Sequence, residues 1–147
     1  MDKLATNVKP VFSMKNIAVV GMSKDPSKDS YGVAAYLKDV GYNIIPINPT
    51  APEIMGLKSY PSLLDLPEEV KRTLDIVDVF RKSEDIPAVA DQALQLHKQY
   101  GRPLVFWMQL GIANENAAKK LESTGTKVFQ NLCMMETHRL LKSAGKL

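Results

Sequence analysis

Residues 16–40, NIAVVGMSKDPSKDSYGVAAYLKDV, constrain the fold more than any other stretch of the chain. Residues 17–20 are an unbroken apolar, largely β-branched run, the pattern of a strand covered on both faces. The run ends at Gly21 and a polar loop. Val33, Tyr36, Leu37 and Val40 then recur at three- and four-residue spacing, which predicts a helix from about residue 30 to residue 40. Ser30 is its expected N-cap and Gly41 its C′ residue. Strand, glycine loop and helix are the opening of a nucleotide-binding α/β unit. A helix N-terminus offers unpaired N–H groups and partial positive charge, so phosphate is a natural occupant.

Residues 42–47 supply the second strand and close a β–α–β unit with a right-handed crossover. Before it, residues 1–14 read as a peripheral lead-in in which Pro10 interrupts any long helix. After it come a short third strand at 57–60, with Pro61 starting a helical turn over 62–66, and a strand at 74–80, its ends blurred by Asp75 and Asp78. Then follow a long helix over 83–100 closed by Gly101, a strand at 104–108, a helix over 114–123, a strand at 127–130 and a last helix over 134–142. Strands alternating with helices mean a parallel sheet wrapped by helices. The expectation is an α/β fold: a single Rossmann-like, doubly wound domain over 15–147. Its mainly parallel sheet has five to six strands, in the order 3-2-1-4-5 with a sixth at the edge.

A chain of 147 residues fits one domain with a substantial core. The net charge of +3 is spread without a dense basic block, which argues against a nucleic-acid partner. The single cysteine, Cys133, cannot form an intramolecular disulfide and suits a reducing compartment. No run approaches the roughly 18–20 apolar residues that cross a bilayer, and the first residues lack the apolar core of a signal peptide. The expectation is no membrane association and a cytoplasmic location.

In open α/β sheets, ligands sit beyond the carboxyl ends of the strands at the switch point. That rule selects the loops at 21–29, 48–52, 81–83 and 109–113. The first contains Gly21, Ser23, Lys24 and Lys28, which offer close backbone approach, a hydroxyl and charge. The full G-x-G-x-x-G pattern is absent. NAD-binding domains place an acid at the end of the second strand; here Asn48-Pro49 stands instead, which argues against NAD and leaves NADP open. Lys58 and Arg81 are expected to reach the same face, Phe80 lies where it can meet a base, and Gln109 and Gly111 follow the fifth strand.

Catalytic groups are scarce. His97 falls on the apolar stripe of a helix and His138 on the last helix. No Cys/His spacing suits a metal, and neither the G-x-x-x-x-G-K-[ST] loop nor the G-x-S-x-G elbow is present. The expectation is no catalytic residue and no metal. Cys133 near a helix start is a candidate thiolate, though free cysteines are more often small buried residues.

Four ordered blocks carry a family resemblance: VVGMSKDPSKDSYGVAAYLKDVGYNIIPINP, IMGLKSYPSLLDLP, DIVDVFRKSEDIP and VFWMQLGIANENAAKKLESTGTKVFQNLCMMETHRLL. Together, over about 14–142, they resemble the small CoA-binding proteins and the CoA-binding domain of the succinyl-CoA synthetase α subunit. The resemblance implies a Rossmann-like domain that holds coenzyme A or an acyl-CoA. By position, Gly21, Met22, Ser23 and Lys24 would line the phosphate loop. Lys28 stands where many relatives have Arg, and Tyr31-Gly32 begins the helix beneath. Asn48, Pro49 and Lys58 would flank the nucleotide. Phe80, Arg81 and Ser83 would lie beside adenosine or pantetheine, and Gln109 and Gly111 at the pantetheine end. Met22 departs from the commoner small Ala. The phosphorylated-histidine domain of the larger synthetase subunit has no counterpart here, so the resemblance implies binding without a reaction. An NADP- or acyl-CoA-dependent enzyme, a CoA-sensing regulator, and a homodimer or unidentified protein partner stay open.

Overall fold

The computed structural model describes residues 2–147. The helices are α1 (Asp2–Phe12), α2 (Asp29–Asp39), α3 (Glu68–Thr73), α4 (Ile86–Tyr100), α5 (Glu115–Glu122) and α6 (Met134–Ser143). The strands are β1 (Asn16–Val20), β2 (Asn43–Ile47), β3 (Glu53–Ile54), β4 (Leu57–Lys58), β5 (Ile76–Val79), β6 (Val105–Met108) and β7 (Lys127–Phe129). Five of these strands form one sheet in the order β2-β1-β5-β6-β7, every neighbouring pair parallel. β3 and β4 make a separate two-stranded antiparallel hairpin.

The alternation along each strand divides the core in two. Ala18, Val20, Val77, Val79, Phe106 and Met108 face α4 and α5. Ile17, Val19, Ile76, Val105 and Trp107 face α1, α2 and α6. Both faces of the sheet are covered, which is why its strands read as apolar runs. The doubly wound α/β expectation holds.

Several local expectations change. The lead-in is a helix, α1, whose Val8 and Val11 are wholly buried. Pro10 is tolerated because it falls in the last turn, where a missing N–H costs one hydrogen bond and no following turn is disturbed. The expected third strand shrinks to β4 plus a single bridge, Tyr60 to Ile47 at the β2 edge. Pro61 does not start a helical turn: a 3-10 turn begins at Leu63, and Ser62 Oγ donates to Asp65 Oδ2 at 2.8 Å. The sixth strand, β7, is a full member of the sheet. Ser30 is not the cap of α2; Lys28 holds that position. Ser30 is buried and its Oγ accepts from Ser23 N at 2.9 Å, so the hydroxyl organises the loop instead of the helix end.

Candidate functional site

Three strand ends meet at Gly21. Its N–H donates to Ile47 O at 3.0 Å, tying β1 to β2, and Phe80 N donates to Val20 O at 2.8 Å, tying β1 to β5. Gly21 has φ +81°, and a Cβ there would lie 2.3 Å from Phe80 O. Any side chain would push the β5 loop away.

From Gly21 the chain runs to α2 through a loop held by its own polar groups. Asp25 N donates to Ser23 Oγ at 3.0 Å, and Asp25 Oδ1 accepts from Ser27 N at 2.9 Å and Ser27 Oγ at 2.8 Å. The Ser27 backbone N–H, then its hydroxyl, hold the Asp25 carboxyl below its usual range. The Lys28 side chain makes no cap bond, so the N-terminus of α2 stays open to an anion.

Two cavities flank this junction. The larger, about 560 Å³, lies between the start of α2, the end of β5, the loop after β6 and α6, with Lys28, Gly32, Phe80 and Gln109 on its walls. The smaller, about 240 Å³, is bounded by Gly21, Pro49, Ser62, Arg81 and Asp85. Phe80 therefore serves one cavity and the adjacent Arg81 the other. Arg81 is paired with Asp85 at 3.3 Å, with both side chains well exposed, so the pair opposes little the rearrangement of Arg81 toward a ligand.

The remaining expected site residues line neither cavity. The Met22 side chain is wholly buried in the core, leaving only its backbone in the loop. Ser23 is spent on the loop bonds above, and Lys24 is exposed. Tyr31 packs on the core around α2. Asn48 shapes the loop after β2: Nδ2 donates to Met22 O at 2.9 Å, and Oδ1 accepts from Thr50 N at 2.8 Å and Ala51 N at 3.2 Å. That accounts for an amide where a dinucleotide fold has an acid. Lys58 sits on the β3–β4 hairpin over the Tyr60 ring. Ser83 Oγ accepts from Ala113 N at 3.1 Å, and Gly111 N donates to Asn131 Oδ1 at 2.7 Å.

Residues outside the expected set build the far wall. α6 contributes Met135, Glu136 and Arg139, and Cys133 just before it lines the same cavity. The start of α6 is pinned from below. Trp107 Nε1 donates to Leu132 O at 2.7 Å, and Gln109 Oε1 accepts from Met134 N at 3.2 Å. The other end of that amide, Nε2, donates at 2.5 Å to Asp78 Oδ1. Asp78 is completely buried; burial pushes its carboxyl up to about 7, against the lowering effect of Gln109. Further along α6, His138 Nδ1 lies 2.7 Å from Tyr36 Oη, and its ring meets Phe12, Tyr36 and Tyr42 edge-on. Burial first, then Lys142, pushes the imidazole below its usual value. His97 sits at the end of α4 with Nδ1 3.1 Å from Pro103 O. Only the spatial return of the last helix marks Met135, Glu136 and Arg139 as site residues. Asp78 carried one sequence signal, an acid inside an otherwise apolar strand.

Among the described residues no group of three or more His, Cys, Asp or Glu is arranged to hold a metal. No helix among them is long and apolar enough to cross a membrane.

Comparison with known proteins points one way. Residues 15–139 match the CoA binding domain family. The YneT protein of Bacillus subtilis (strain 168) is 41% identical over 128 residues, covering 87% of this chain and 88% of its own. The structure of cell-free ID.343 from Thermus thermophilus superposes with a TM-score of 0.82 at 34% identity, over 93% of this chain and 98% of that one. Acetate–CoA ligase [ADP-forming] II of Archaeoglobus fulgidus is 32% identical over 96 residues, 64% of this chain but 14% of the ligase. The similarity to the ligase is therefore confined to a small part of that protein.

Proposed function

Because the chain belongs to the CoA binding domain family, we propose that it binds coenzyme A or an acyl-CoA at the carboxyl ends of β1, β2, β5 and β6 and performs no reaction on it. The observation that carries this reading is the pair of cavities divided between the adjacent Phe80 and Arg81, the smaller bounded by Gly21 and the larger by the open N-terminus of α2. CoA is itself bipartite, a multiply charged nucleotide joined to a long, largely uncharged pantetheine arm. The phosphates would lie near Gly21 and the first turn of α2, with Lys24, Lys28 and Arg81 supplying positive charge. The arm would follow Phe80 and Gln109 through the larger cavity toward Cys133. Gly32, on the α2 face of that cavity, leaves room for it.

The reading as a binder follows from what surrounds the arm. Cys133 is the thiol on the cavity wall, and among the described residues its sulfur has no hydrogen bond to a base that would activate it. The histidine nearest in sequence, His138, is turned inward to Tyr36. Isothermal calorimetry with CoA, acetyl-CoA, NAD and NADP tests the binding half. One-site binding of CoA and acetyl-CoA with no response to the nicotinamides is expected. Silence at millimolar CoA, or tighter NADP, would sink it. Repeated release of free thiol from acetyl-CoA would overturn the non-catalytic half.

A further inference from the structure

Asp78 touches neither cavity, yet it sits at the bottom of a chain of contacts that ends on the wall of the larger one. Its neighbours in the sheet are Val19 of β1 and Trp107 of β6, and strand alternation turns it toward α1, α2 and α6. Oδ1 receives one hydrogen bond, from Gln109 Nε2. Oδ2 is sealed from solvent and has no partner among the described residues. With Gln109 oriented as observed, either protonation state is therefore costly: an ionised carboxylate holds one donor, and a protonated one leaves an O–H unmatched.

Gln109 connects this acid to the ligand side. It is 3% exposed, lines the larger cavity, and accepts from Met134 N at the first residue of α6. Its amide orientation decides two contacts at once. With Nε2 toward Asp78, Oε1 faces the α6 N–H, as observed. An ionised Asp78 accepts only, so it enforces this orientation. A protonated Asp78 can donate to the amide oxygen instead, which turns Nε2 toward Met134 N, donor against donor, and releases the start of α6.

We infer that Asp78 is a positioning residue for the cavity, acting through Gln109 so that its ionisation fixes the start of α6 and tightens ligand binding. The ligand half of this inference rests on the CoA reading above; the Asp78–Gln109–Met134 coupling does not. The acid is set to titrate near neutrality, since burial raises it to about 7. Among the described side chains, the charged and titratable groups on the covering elements are Lys3 and Lys9 of α1, Asp29, Tyr31, Tyr36, Lys38 and Asp39 of α2, and Cys133, Glu136, His138, Arg139 and Lys142 at α6. None contributes to the shift, which comes from burial opposed by Gln109 alone.

The test compares wild type with Asp78→Asn, whose amide cannot ionise, from about pH 5.5 to about 8.5. The ratio of their CoA affinities is the readout, because the titration of CoA and of every group common to both proteins cancels in it. Wild type is expected to gain about fivefold over the variant across this range, the order of one hydrogen bond. In ligand-free protein, the Met134 backbone amide resonance should show in wild type a titration that is absent from Asp78→Asn. If Asp78→Asn does not fold, Gln109→Leu takes its place, with loss of the same titration at Met134 expected. A wild-type Met134 amide that does not titrate overturns the inference whatever CoA does. Likewise, an affinity ratio constant with pH removes the link to the ligand. Failure of wild type to bind CoA at any pH, with Met134 still titrating, refutes the CoA reading and leaves the coupling standing.

Discussion

Two glycines eleven residues apart in sequence, Gly21 and Gly32, should respond to the same substitution with opposite signs. In Gly21→Ala the new methyl meets Phe80 O at 2.3 Å and Arg81 Cδ at 2.9 Å, on a backbone at φ +81°. The left-handed conformation alone costs an Ala about 1 kcal/mol. The carbonyl belongs to the backbone, so relief requires the β5 end to move, straining the Phe80–Val20 and Gly21–Ile47 hydrogen bonds at about 1 kcal/mol each. A loss of about 3 kcal/mol follows, or a fall in Tm of about 10 °C for a chain of this size. Gly32 lies inside α2 with nothing within 4 Å of its Cβ position. Ala there should add about 0.5–1 kcal/mol, raising Tm by about 2–3 °C. Because Gly32 also borders the larger cavity, the same variant should bind CoA more weakly while being more stable. Thermal unfolding followed by circular dichroism, with calorimetry for CoA, measures all three. A Gly21→Ala Tm within about 2 °C of wild type would refute the steric reasoning, as would destabilisation by Gly32→Ala.

Four other substitutions probe separate parts of the molecule. Lys24→Ala and Arg81→Ala should each weaken CoA more than pantetheine, since only CoA carries the phosphates; equal losses in parallel titrations would contradict that assignment. Asn114 caps α5 by accepting from Ala117 N at 3.0 Å, so Asn114→Ala should cost about 1 kcal/mol in urea unfolding. His138 has its folded-state value pushed below the usual 6.5, mainly by burial. Its neutral form therefore contributes stability above about pH 6.5, which is lost as the pH falls through the folded value. Urea midpoints at about pH 7 and about pH 5 should fall further in wild type than in His138→Phe; equal falls would show that the histidine does not titrate on unfolding. Asp78 acts in the other sense, its raised value making stability decline as pH rises from about 4 to about 7, so only the difference between wild type and variant isolates His138.

The sheet was legible because its strands are short, largely apolar runs, with Gly21 closing β1, Gly41 and Asn48 flanking β2 and Pro103 preceding β6. Burial on both faces writes that pattern directly into the sequence. α1 was hidden by Pro10, although Ala5, Val8, Val11 and Phe12 recur on one face and are all buried. The β3–β4 hairpin was half hidden because two-residue strands carry no period. At the site, the rule of carboxyl ends found the loops around Gly21, Asn48, Arg81 and Gln109, but could not say which side chains point outward. Met22 follows the glycine yet fills the core, while Asn48 spends its amide on the loop. α6 comes from the far end of the chain, and its place on the cavity wall depends on the crossover from β7, which no local spacing encodes. Asp78 reads in sequence as a flaw in a strand; only three dimensions reveal that it grips Gln109.

Trp107 is the one tryptophan of the chain. It is wholly buried, stacked at 4.6 Å on Phe129, and hydrogen-bonded through Nε1 to Leu132 O immediately before Cys133. The molecule thus carries a single indole reporter wired to the segment where sheet and cavity wall meet. Its emission should be insensitive to events elsewhere on the surface and responsive to displacement of that carbonyl. A ligand that enters the cavity and shifts that carbonyl should therefore change the tryptophan emission of the untagged protein.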